Sequence, residues 1–144
     1  MTGSDQTGIC LHASCVAVKG RGLLILGPSG AGKSALALHM MALGAELVSD
    51  DQTLVTVRDD RLVARAPAAL AGLIEARFLG LLNAPFAPEA EIALVLDLTQ
   101  RETERLPPTR QVTLLGISCA LAYSSEASHL PASLMCYLAY GRRG

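Results

Sequence analysis

GLLILGPSGAGKSALALHMMAL, residues 22–43, decides the fold. Its first part is a short apolar run of strand length, and its last part places apolar residues at helical spacing until Gly44 supplies a stop. Between them Gly27, Pro28, Ser29, Gly30, Ala31, Gly32, Lys33 and Ser34 satisfy G-x-x-x-x-G-K-[ST] in full. Glycines let such a loop turn its N–H groups inward, so that a polyphosphate sits over the positive end of the following helix. The spacing therefore predicts a P-loop that binds ATP or GTP, with Lys33 at the β- and γ-phosphates and the Ser34 hydroxyl on Mg²⁺.

Working outward, residues 9–18 (ICLHASCVAV) form an apolar run that a tight turn at Lys19-Gly20-Arg21 separates from the P-loop strand. Downstream, residues 46–49 predict a strand ending at the adjacent carboxylates Asp50 and Asp51. Residues 52–66 alternate around the polar tip Arg58-Asp59-Asp60-Arg61 and predict a hairpin. Pro67 is expected to open a short helix through Ala76, and IALVLDL, residues 92–98, a buried strand. Residues 100–110, with Pro107-Pro108, read as a loop, residues 112–121 as another strand, and residues 131–140 as a closing helix with Leu130, Leu134 and Leu138 on one face. Strands interleaved with helices and a hairpin imply an α/β sandwich whose sheet need not be purely parallel, in a single domain over residues 1–144.

The chain of 144 residues is 51% hydrophobic with a net charge of −1, enough apolar material for one core and no basic patch for nucleic acid. Five aromatic residues (Phe78, Phe86, Tyr123, Tyr137, Tyr140) offer no base-stacking platform. No signal-like leader and no apolar stretch of membrane-spanning length is visible, so the expectation is a cytoplasmic protein without membrane partners. Cys10, Cys15, Cys119 and Cys136 lack metal-ligand spacing and read as buried thiols in a reducing compartment.

A P-loop alone does not separate a hydrolase, a small-molecule kinase and a protein kinase. Asp97, at the end of IALVLDL, has the setting of a metal-binding strand-end aspartate, or else caps the polar loop that follows. Asp50 and Asp51 are adjacent on an expected extended chain, so only one of them should face the nucleotide, where it could accept a hydroxyl proton. His12, central in an apolar strand pattern, reads as a core histidine unless a carboxylate on a neighbouring strand meets it. Glu75 and Arg77 interrupt the apolar run LIEARFLGLL, and surface pairing is their ordinary explanation.

Together, HASCVAV (12–18), GPSGAGKS (27–34), LGAELVSDD (43–51) and LIEARFLGLL (73–82) resemble, in order and spacing, the catalytic domain of bacterial HPr kinase/phosphorylase, the serine kinase that modifies the phosphocarrier HPr. That family carries a His before the P-loop strand, GxSGxGKS, "RG-x-x-LVADD" and "LLEIRGLGI"; the resemblance covers about residues 9–83. It implies a P-loop-containing, HPr kinase/PEP-carboxykinase-like mixed sheet flanked by helices, acting with ATP and Mg²⁺ on an HPr-like phosphocarrier, and a homo-oligomer. It further implies nucleotide contacts from residues 27–34, Mg²⁺ on Ser34 and Glu75, and His12 with the aspartate pair flanking the transferred phosphoryl group. One of Asp50 and Asp51 would be the base, and Arg77 would steady the cation-bound carboxylate or the phosphates. Asp97 is left a structural role.

Three departures stand out. The chain starts almost at the catalytic domain, as in a short form without the N-terminal domain. Residues 112–125 (VTLLGISCALAYSS) hold no arginine where the family has a "VGRN"-like segment, and Phe78 replaces a signature glycine. A small-molecule P-loop kinase or NTPase, and a nucleotide-binding regulatory module without turnover, are the alternative functions.

Overall fold

The computed structural model describes residues 8–143. Its elements are β1 (Gly8–Leu11), β2 (Ala13–Val18), β3 (Arg21–Leu26), α1 (Lys33–Ala42), β4 (Glu46–Ser49), β5 (Thr53–Arg58) and β6 (Arg61–Arg65), followed by β7 (Leu73–Ala76), β8 (Gly80–Asn83), β9 (Ala90–Arg101), β10 (Arg110–Leu114), β11 (Ile117–Ser124) and α2 (Leu130–Tyr140). The main sheet runs β1-β5-β6-β9-β3-β2-β4, and β11 joins it beside the far half of β9, carrying β10 on its outer edge. β3 and β11 are parallel to β9, and the other pairings are antiparallel, so the sheet is mixed.

Local chemistry sets this topology. Two-residue hairpin turns that match the strand twist need positive φ at both central positions. Lys19-Gly20, Asp59-Asp60 and Leu115-Gly116 all have it, and they join β2 to β3, β5 to β6 and β10 to β11. β3 reads Leu23-Leu24-Ile25 because both of its faces are covered: Leu23 and Ile25 pack with Ala37 and Met40 of α1 and with Leu134 and Leu138 of α2, whereas Leu24 packs on the opposite face. Among the described residues that opposite face holds no helix. Ala13, Cys15, Val48, Val55, Ala64 and Val95 meet there, with Val112 and Leu114 of β10 packed against them, so the sheet's own arms close the second core.

Five expectations about elements and burial change. The apolar run at residues 9–18 is two strands, because the chain bends at His12 and leaves that side chain exposed rather than in the core. After Pro67 only Ala68–Leu70 is helical, a single 3₁₀ turn; Gly72 at φ 75° breaks it, and the period-two pattern of residues 73–77 then pairs as the β7–β8 hairpin. Residues 112–121 fall across a hairpin instead of forming one strand, and β9 runs on to Arg101 into the expected loop. Cys15 and Cys119 are buried, but Cys10 and Cys136 are exposed. Among the described residues no helix is long and apolar enough to cross a membrane.

The connection that matters for the site is β3–α1–β4. β4 is antiparallel to β2 and so parallel to β3, and the carboxyl ends of β3 and β4 lie at the same edge as the amino end of β2. The register shows it: Ala13 pairs with Leu26, and Cys15 with both Leu24 and Ser49. His12, the β3–α1 loop and Asp50-Asp51 are thereby delivered to one edge of the sheet.

Burial pushes the Cys15 thiol up to about 12, which suppresses the thiolate that reacts with alkylating agents. Brief treatment of the native protein with iodoacetamide at pH 8, read by peptide mass spectrometry, is expected to modify Cys10 and Cys136 and to leave Cys15 unmodified until the protein is unfolded.

Candidate active site

The loop between β3 and α1 is shaped by what glycine permits. A Cβ on Gly27 would come within 3.0 Å of the Ala31 Cβ and 3.3 Å of the Leu98 Cβ. Gly30 and Gly32 have φ of 85° and 102°, a region costly for residues with a Cβ. Gly32 is also the N-cap of α1, whose first turn has neither an acidic residue nor a side-chain cap, so its leading N–H groups face the loop. Lys33 is 5% exposed and curls back over the loop, its Nζ donating to the Gly27 and Pro28 carbonyls at 2.7 and 3.1 Å.

Asp50 and Asp51 do not follow the alternation of an extended chain. β4 stops at Ser49, and the Gln52 N–H donates to the Asp50 carbonyl at 2.8 Å around Asp51, whose φ is 68°. An i to i+2 bond around a residue of positive φ is the rare, strained form of γ-turn. Ser49 Oγ, donating to the Gln52 carbonyl, braces it from outside. The turn directs the two carboxylates to different surroundings, Asp50 inward and Asp51 outward.

Asp50 is buried at 6% exposure, where an unpaired carboxylate would be prohibitive. Its Oδ1 accepts the hydroxyls of Ser14 and Ser34, each at 2.7 Å, and its Oδ2 accepts the Glu75 N–H at 3.0 Å. The Ser14 oxygen in turn accepts the Asp51 N–H at 3.1 Å. Asp51 is exposed, and its Oδ1 accepts from His12 Nε2 at 2.8 Å, so His12 has found the carboxylate that changes its reading from core residue to site residue. The bend between β1 and β2 is what frees the imidazole for that contact.

Glu75 and Arg77 sit on one face of the β7–β8 hairpin, opposite buried Ile74, and both are exposed. They line a cavity of about 550 Å³ together with Ser29, Gly32, Lys33 and Ser34, and Asp51 reaches its wall. A second cavity of about 630 Å³ adjoins it, bounded by Gln52, Leu73, Phe78 and Leu81; Asp51, Glu75, Ala76 and Arg77 are common to both. Ser34 and Glu75 supply hard oxygen donors on one cavity wall, a donor set suited to Mg²⁺.

Asp97 stands apart. Its Oδ1 accepts the Thr99 N–H at 2.9 Å and the Thr99 hydroxyl at 2.6 Å, so it is engaged two residues along its own strand, inside β9. Phe78, where a glycine was expected, has φ 72° and is fully exposed at the hairpin tip. Ser14 is the residue that sequence reading missed. Its signal was slight: a hydroxyl inside the buried strand Ala13–Val18, where a polar atom must find a partner.

The chain is similar to known proteins. A family model described as "HPr Serine kinase C-terminal domain" matches residues 6–112. Proteins named HPr kinase/phosphorylase are similar, including one from Mycoplasmopsis pulmonis (37% identical over 102 residues, 66% of this chain and 33% of the relative). Another, from Cupriavidus necator, is 37% identical over 121 residues, 76% of this chain and 38% of the relative. The chain thus spans about a third of the length of these relatives. The solved structure of the Hpr(Ser) kinase/phosphatase from Coxiella burnetii superposes with a TM-score of 0.74 at 22% identity, covering 88% of this chain and 91% of that one, and shows the same fold.

The two aspartates should separate in stability measurements. Asp50→Ala leaves three donors without their acceptor and is expected to cost about 3 kcal/mol or more, whereas Asp51→Asn, which tolerates positive φ, and His12→Ala should each change the unfolding free energy by less than about 1 kcal/mol. Urea unfolding followed by circular dichroism checks this.

Proposed function

Because the chain belongs to the HPr serine kinase C-terminal domain family, we propose that it is the catalytic unit of an ATP-dependent, Mg²⁺-requiring kinase that phosphorylates a serine of an HPr-like phosphocarrier protein in the cytoplasm. The observation that carries the reading is the junction of the two cavities at Asp51, Glu75 and Arg77. A phosphate chain cradled by the loop on one side and a hydroxyl arriving from the other would meet there.

Each residue has a role in that geometry. The N–H groups of residues 27–34 and the amino end of α1 receive the phosphates, and Lys33 exchanges its carbonyl partners for charged phosphate oxygens, which are stronger acceptors. Ser34 and Glu75 would hold Mg²⁺, which neutralises charge on the transferring group. Asp51 accepts the proton of the serine hydroxyl while its oxygen bonds to the γ-phosphorus and the bond from that phosphorus to the β–γ bridging oxygen breaks, releasing ADP. His12, hydrogen-bonded to Asp51, keeps that carboxylate facing the junction. Arg77 steadies the phosphates or the Glu75 carboxylate at the same wall. In phosphorolysis an oxygen of inorganic phosphate would bond to the phosphoserine phosphorus while the bond from that phosphorus to the serine oxygen breaks, with protonated Asp51 giving its proton to the serine oxygen and pyrophosphate leaving. The assignment of the base to Asp51 rests on access: Asp50 is buried and occupied by three donors, and Asp51 is exposed at the junction.

One observation favours a rival. A cavity of about 630 Å³ is of the size that small molecules occupy. Incubation with radiolabelled ATP, Mg²⁺ and either HPr or a panel of sugars and nucleosides decides between them: phosphoserine on HPr is expected, and label on a small molecule with none on HPr would replace the protein-kinase reading. Lys33→Ala should abolish transfer, and Asp51→Asn should keep nucleotide binding while lowering the transfer rate by about 10²–10⁴. Wild-type turnover in Asp51→Asn would remove Asp51 as the base.

A further inference from the structure

The hydroxyls around Asp50 form a chain with a fixed direction. A serine hydroxyl has one proton to give and two lone pairs to offer. Asp50, once ionised, can only accept, so both Ser14 and Ser34 must turn their protons toward its Oδ1. The Ser34 lone pairs are then left to face away from Asp50, toward the cavity wall that Ser34 shares with Glu75. Without that acceptor the hydroxyl could rotate and present its proton to a cation. Ser14, with its own proton engaged, uses a lone pair for the Asp51 N–H at 3.1 Å, and Oδ2 of Asp50 takes the Glu75 N–H at 3.0 Å.

We infer that Ser14 and Asp50 are positioning residues: Asp50 orients the Ser34 hydroxyl and the Glu75 backbone for one divalent cation, and Ser14 locks Asp50 while pinning the strained turn that carries Asp51. This rests on the cation role proposed for Ser34 and Glu75. The four contributing segments are the start of β2 (Ser14), the start of α1 (Ser34), the turn after β4 (Asp50 and Asp51) and β7 (Glu75). Apart from the two adjacent aspartates, no pair among them is closer than 16 residues in sequence. Partners that orient a ligating group, without touching the metal, typically change metal affinity 10–100-fold when removed.

The test measures cation linkage to nucleotide binding, with no need for turnover. A fluorescent ATP analogue is titrated into wild type, Asp50→Asn and Ser14→Ala, first in EDTA and then at increasing Mg²⁺, with circular dichroism confirming that each variant is folded. Asp50→Asn is expected to keep its cation-free nucleotide affinity within about threefold while the Mg²⁺ midpoint rises about 10–100-fold. Ser14→Ala should shift the midpoint in the same direction by a smaller factor, and it carries the test if Asp50→Asn does not fold. An unchanged midpoint in a folded variant, or loss of affinity in EDTA to the same extent as in Mg²⁺, overturns the inference while leaving the cation site standing. A wild type whose nucleotide affinity ignores Mg²⁺ overturns the cation role of Ser34 and Glu75 and this inference with it.

Discussion

The carboxylate of Asp50 is buried in a protein interior that would expel it if it lacked partners, and the structure meets that demand by bringing three donors from three other segments to its two oxygens. Ser14 comes from β2, Ser34 from the first turn of α1 and the Glu75 N–H from β7. Satisfying one charge therefore fixes the relative placement of the P-loop helix, the β7–β8 hairpin and the strand that leads away from His12. The electrostatic requirement and the assembly of the site are the same constraint.

The sheet supplies the frame for it. The β2–β3 hairpin sets the start of β2 beside the end of β3, and the crossover through α1 brings the end of β4 to the same edge. Two cores hold that frame, one under α1 and α2 and one closed by the sheet's own arms. On the rigid edge so formed, the chain stores a small amount of strain at Asp51, whose γ-turn lifts one carboxylate out to His12 while its neighbour stays inside. Adjacent identical side chains thus occupy opposite electrostatic environments.

Much of this was legible in the sequence where the chemistry is local. Glycines at fixed spacing between an apolar strand and a helical run mark the turn from β3 into α1 because their positive φ is a local property, and the polar tip at residues 58–61 marks a hairpin for the same reason. The family resemblance, built on four ordered motifs, was recovered by the match over residues 6–112. What depended on distant partners was harder to read. Pro67 and the alanines after it suggested a helix, but Gly72 and the pairing of Glu75 with Leu81 across the hairpin made a strand of residues 73–76. His12 looked like a core residue because periodicity does not reveal the bend that exposes it. Ser14 left almost no trace, since a serine in an apolar strand acquires its meaning only from Asp50, 36 residues away. The alternation rule for Asp50 and Asp51 failed for a similar reason: it holds along extended backbone, and the chain turns at Asp51.

Division of labour between the two aspartates is the central claim, with Asp50 as the internal anchor and Asp51 as the proton acceptor at the junction of the cavities. A crystal structure of the chain with Mg²⁺ and a non-hydrolysable ATP analogue tests it most directly. Ser34 Oγ and the Glu75 carboxylate are expected on the cation, with Asp50 still accepting from Ser34 and Ser14, and Asp51 turned toward the γ-phosphate from the His12 side. A cation held by Asp97, or a γ-phosphate facing Asp50 with Asp51 turned out to solvent, would contradict it.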